Sequence, residues 1–120
     1  MITKKYDLVI LKLGACLLLP VLLLSCQKET SKPLSALESH GKVVYTTYCI
    51  ACHNPDPRYA GSIGPDLAGS SLELITSRVL HLTYPPGYIP KRKTGQMPAL
   101  PFLEKDLPAI HAYLSTFSKK

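Results

Sequence analysis

The chain has 120 residues and carries 14 Lys+Arg against 8 Asp+Glu, a formal net charge of +6. That length supports one small domain and no more, and the basic residues form no run long enough to point to nucleic acid. A domain of this size usually needs a staple beyond its own core: a disulfide, a metal or a cofactor.

The first element in chain order is a leader. Lys4 and Lys5 precede an apolar run from Leu13 to Leu24, "LGACLLLPVLLL". A basic start followed by such a run has the layout of a secretory signal peptide, predicted here over residues 1–25. The run falls short of the ~20 residues a membrane-spanning helix needs, and Pro20 interrupts it. Its end, Leu23-Leu24-Ser25-Cys26, resembles the lipobox of bacterial lipoproteins, which implies that Cys26 is acylated and begins the mature chain. Each buried CH₂ of an acyl chain contributes ~0.8 kcal/mol to membrane binding. A looser match ends at Cys16, where the preceding stretch is shorter and broken by Asp7 and Lys12. The expected product is an exported chain, lipid-anchored at a bacterial membrane and facing the periplasm or cell exterior. Gln27 hints at the outer membrane. Residues 26–33 read as a polar tether.

Removing residues 1–25 from the 120 leaves 95. Three of the 14 basic and one of the 8 acidic residues lie in the leader, so the remainder carries +4. Within the remaining domain, residues 34–120, Leu34, Leu37, Gly41, Val44 and Tyr48 recur at three- and four-residue steps, which predicts a helix from about Pro33. Glycine on an apolar helix face costs stability unless something packs closely on it, so Gly41 predicts a close crossing with another helix. A second helix is predicted from Ser70, with Ser70 and Glu73 as a capping box and Leu72, Ile75, Val79 and Leu82 as its stripe. A third is predicted over roughly 104–117, with Leu107, Ile110, Leu114 and Phe117 on one face and Pro108 tolerable only near its first turn. Two Gly/Pro-rich loops, 54–69 and 83–101, separate the helices. No stretch alternates with period two, so the fold class is all-α, and loops this long in so small a domain suggest something to wrap around.

The first helix runs into "YCIACH", residues 48–53. A zinc site usually takes four ligands with thiolates in pairs. No second C-x-x-C follows, and His40, His81 and His111 are scattered. A thioredoxin-like dithiol would want a βαβ context. Haem attachment uses the whole string: at a helix end, positions i, i+3 and i+4 share a face, and Cys49, Cys52 and His53 occupy them. C-x-x-C-H is the haem c attachment signature, which assigns the thioethers to Cys49 and Cys52 and an axial position on the iron to His53.

In this order of motifs the chain resembles the class I, monohaem c-type cytochromes over essentially residues 34–117. The resemblance implies the cytochrome c fold, three main helices with long loops around one covalent haem. It pairs Gly41 and Tyr45 of the first helix with Tyr113 of the last. It matches "GPDL", Gly64 to Leu67, to the turn whose carbonyl, here Pro65, accepts the other ring N–H of the axial histidine, with Leu67 against the haem. It also implies that Met97 of "TGQMPAL", 44 residues after His53, is the second axial ligand, with His81 as a rival. Leu103 stands where a capping Ser or Thr often precedes the last helix of that family. Tyr84 or Tyr88 could reach a propionate, and Lys91-Arg92-Lys93 could rim the haem edge and attract acidic redox partners.

Two filled axial positions leave no site for substrate, so the expected role is one-electron transfer between donor and acceptor proteins rather than catalysis. The alternatives are a haem peroxidase or gas sensor with a labile or absent sixth ligand, and a fixed cytochrome subunit of a larger respiratory oxidoreductase.

Overall fold

Ser35 starts the first helix with a reciprocal cap. Its hydroxyl accepts from the Glu38 N–H at 3.2 Å, and the Glu38 carboxylate accepts from the Ser35 N–H at 2.6 Å, which satisfies two donors that an uncapped end would strand. The computed structural model describes residues 32–117. The expected leader, Cys16, the lipid-bearing Cys26 and the tether up to residue 31 lie outside the described residues.

Helix α1 spans Ala36–Tyr48 and buries Gly41, Val44 and Tyr45. Its apolar face is narrower than the sequence predicts: Leu37 is 52% and Tyr48 47% exposed. Helix α2 spans Leu72–His81. Its cap is Ser71, whose hydroxyl accepts from the Leu74 N–H at 3.2 Å, and not Ser70 as the sequence predicts. Ser70 is buried, and its N–H is spent in a turn on the Leu67 carbonyl at 3.1 Å. Ile75 and Val79 face the core, while Leu72 and Leu82 are exposed. Leu82, just beyond the helix, turns the chain with φ 57°.

The predicted helix over 104–117 divides in two. Pro101–Asp106 is a 3₁₀ helix, and helix α3 follows over Leu107–Ser115. Pro108 explains the break: it lacks an N–H, and its ring would clash with the carbonyl four residues earlier if an α-helix ran through from 104. It therefore sits in the first turn of α3. Asp106 caps without a side-chain bond to the helix; its carboxylate meets His40 Nε2 at 2.7 Å instead.

Helices α1 and α3 form the main contact, and α2 packs on the 3₁₀ helix and α3. The α1–α3 crossing is close because Gly41 has no side chain. A Cβ there would stand 1.9 Å from the Ala109 carbonyl oxygen. Beside it Tyr45 and Tyr113 meet with ring centroids 5.6 Å apart, and Tyr113 meets Phe117 edge-on at 5.1 Å. Tyr45 is fully buried; burying such a ring stabilises by roughly 1.5–3 kcal/mol, and an aromatic pair adds about 0.5–1.5 kcal/mol. Leu103, Leu107, Ile110 and Leu114 complete the core. The described residues from Pro33 onward form one unit. They are all-helical, with no strand among them, and no helix among them is long and apolar enough to cross a membrane.

Candidate functional site

Helix α1 delivers Cys49 as its C-terminal cap. The Cys52 and His53 N–H groups then both donate to the Cys49 carbonyl, at 3.2 and 2.9 Å. That extra turn keeps positions i, i+3 and i+4 on one side, and Cys49, Cys52 and His53 all line the same cavity. Tyr45 ties the turn down, its hydroxyl donating to the Asn54 carbonyl at 2.6 Å. Burial above all holds the Tyr45 phenol far above its ordinary range, with Cys49, Tyr113 and Asp56 adding to it. Cys49 and Cys52 are not joined in a disulfide. Burial, and secondarily Cys52, pushes the Cys49 thiol up to about 11.

His53 is only 8% exposed. Its Nδ1 lies 2.8 Å from the Pro65 carbonyl oxygen. A carbonyl can only accept, so Nδ1 carries the proton and Nε2 keeps a lone pair. Burial lowers the affinity of the ring for a second proton; the Pro65 bond opposes that shift and the Arg92 guanidinium adds to it. The result is a neutral imidazole of fixed tautomer, as a metal ligand must be. Gly64 permits the approach: a Cβ there would fall 2.4 Å from His53 Cε1. The loop carrying Gly64 and Pro65 is held from below by the Leu67 and Ala68 N–H groups, which share the Pro57 carbonyl at 2.8 and 2.9 Å.

The cavity is open to solvent, and its lining combines residues 45–53, 63–70, α2 and the loop 84–98 with core residues of the 3₁₀ helix and α3. Cys49, Cys52, His53, Pro65, Leu67 and Met97, assigned from the sequence to one site, all line it. Met97 and Leu67 are half-buried and pack on the core. His81 does not line it; it ends α2 and is exposed. His40 bonds Asp106, and His111 lies 3.4 Å from the Ser115 hydroxyl. No group of three or more His, Cys, Asp or Glu side chains is gathered for a metal ion among the described residues.

Of the three basic residues expected at a rim, two bond to the loop 61–67. Lys91 bonds the Asp66 carbonyl at 3.1 Å and pairs with its carboxylate. Arg92 donates to the loop after His53, and Lys93 is exposed. Tyr84 and Tyr88 stack at 5.5 Å, with the Arg78 guanidinium 4.4 Å above the Tyr84 ring, and all three line the cavity. Arg78 carries no mark in the sequence beyond its place between Ile75 and Val79, which sets it beside the inward face of α2. Comparison with protein-family models, with curated proteins and with solved structures gives no match.

Proposed function

We propose that this chain is a class I, monohaem c-type cytochrome with the cytochrome c fold, and that it carries single electrons between partner proteins from a lipid anchor at Cys26. The observation that carries the reading is the convergence of two cysteines outside any disulfide, a neutral imidazole held through Pro65 and the Met97 thioether on one largely apolar cavity. The wall suits such a group in a second respect. Arg78, Lys91 and Arg92 line it against the single acid Asp66, and a haem brings two carboxylates to be offset.

Cys49 and Cys52 would hold the macrocycle covalently, and His53 Nε2 and Met97 would take the axial positions. Bound there, haem supplies an Fe(III)/Fe(II) couple whose potential Met/His ligation raises. The chain's own work is to orient and exclude. The Pro65 carbonyl fixes the His53 ring plane, while Leu67 and the α2 face would keep water from the bound group and Met97 would take the position a substrate needs. Small redox interfaces are weak and transient, in keeping with a tethered carrier whose exposed Lys93 would meet an acidic partner surface.

The test is an optical spectrum of the purified full chain, in oxidised and reduced forms, with Met97→Ala beside it. The expected wild type keeps haem through denaturing electrophoresis, is low-spin, shows the weak long-wavelength sulfur-to-iron band when oxidised and binds no carbon monoxide. Met97→Ala should lose that band and bind the gas. A wild type indistinguishable from Met97→Ala would sink the ligand assignment and favour a gas sensor or peroxidase. Mass spectrometry of the membrane extract checks the acyl groups on Cys26.

A further inference from the structure

Two loops that line the cavity, residues 61–67 and 84–98, are joined by two basic side chains. Arg92 Nη1 donates to the carbonyls of Gly61 and Ile63, each at 3.1 Å, and lies 3.4 Å from that of Ser62. Lys91 makes the neighbouring join to Asp66. Three carbonyls converging on one half-buried cation satisfy donors that could not be left bare away from water.

The loop that Arg92 grips has no slack towards His53. The Gly61 N–H donates to the Gly64 carbonyl at 2.9 Å, and the Gly64 N–H donates to the Cys52 carbonyl at 2.9 Å. A Cβ on Gly61 would stand 2.3 Å from the Cys52 carbonyl oxygen, and one on Gly64 would meet the His53 ring. Displacement of residues 61–63 therefore passes to the Pro65 carbonyl and the imidazole it orients. Arg92 also stands five positions before Met97, so one side chain ties together the segments that bear both prospective axial ligands.

We infer that Arg92 is a positioning residue for the cofactor site: it clamps the Met97-bearing loop to the loop that orients His53, and its fixed positive charge favours the reduced state of the bound iron. The inference rests on the haem reading above. A cation on the wall of the same cavity would stabilise the less positive oxidation state of an iron held there, and half-burial would keep that interaction from being fully screened.

The experiment is a redox titration of the haem-loaded full chain in four forms: wild type, Arg92→Gln, Arg92→Lys and Lys93→Gln. At a fixed applied potential, Arg92→Gln should lower the reduced-to-oxidised ratio roughly three- to tenfold and weaken the sulfur-to-iron band. Arg92→Lys keeps the charge and three N–H donors and should recover most of the ratio. Lys93→Gln removes an adjacent charge at an exposed position and should change the ratio less than Arg92→Gln does. An Arg92→Gln shift no larger than that of Lys93→Gln overturns the inference. Should Arg92→Gln fail to accumulate, the wild type decides by nuclear magnetic resonance: slow exchange of the Arg92 guanidinium protons with solvent supports the clamp, and exchange as fast as in free arginine overturns it. A wild type without covalent haem fails the preceding reading instead, before any variant is made.

Discussion

The α1–α3 crossing and the loops around the cavity are held by different forces. At the crossing, Val44, Tyr45, Ile110, Tyr113 and Leu114 are buried against one another, and the attraction is apolar and non-directional. Around the cavity the loops carry no regular structure. They are fixed by directed bonds: Leu67 and Ala68 on Pro57, Leu100 on Val79, His53 on Pro65, Arg92 on three carbonyls. The first region sets whether the chain folds. The second sets where a few donor atoms stand once it has. Each region contains a glycine that another group touches, and the two touching groups differ in how far they can yield.

Gly41→Ala should have the largest effect, because the added Cβ meets the Ala109 backbone and the helices must part. A loss of roughly 3 kcal/mol or more is expected, read as a lowered denaturation midpoint of the full chain. Gly64→Ala puts its Cβ on a side chain, the His53 ring, which yields by leaving its Pro65 bond rather than by parting two helices. Its stability loss should be smaller, about 1–2 kcal/mol, while the haem spectrum changes more than in Gly41→Ala. If Gly64→Ala proved the more destabilising and left the spectrum alone, the division between the two regions would be lost. Tyr45→Phe belongs to both, its ring in the crossing and its hydroxyl on Asn54. Removing the hydroxyl alone should cost about 1–2 kcal/mol, with the spectrum nearly unchanged. Smallest is Ser71→Ala, at about 1 kcal/mol for the lost cap of α2; an unaltered midpoint would return the cap to Ser70.

The crossing was largely legible in the sequence. Gly41 on an apolar stripe predicts a close partner, and the family resemblance supplies Tyr113 as mate to Tyr45. The ends of the stripes were not legible. Helix α3 has only nine residues, about 14 Å at the usual rise, too short to cover α1 from Leu37 to Tyr48. Which of two adjacent serines caps α2 was also beyond sequence, since either can accept from a helix N–H; the turn that buries Ser70 decides it. The cavity lining is legible at Cys49, Cys52 and His53, which share a spacing, and at Met97 through the family resemblance. Arg92 reads only as part of a basic rim; its bonds are not legible, because its partners are backbone carbonyls, which every residue has and no sequence pattern marks.

Leu82 is the one non-glycine residue at positive φ among the described residues. A side chain there costs about 1–2 kcal/mol, and its exposure returns little apolar burial to offset it. This is local frustration, a conflict between residue preference and backbone path. It falls where α2 hands the chain to the loop that carries Tyr84, Arg92 and Met97. Such conflicts collect at functional elements rather than at random. This strained position thus marks the start of the segment that brings Met97 to the cavity wall.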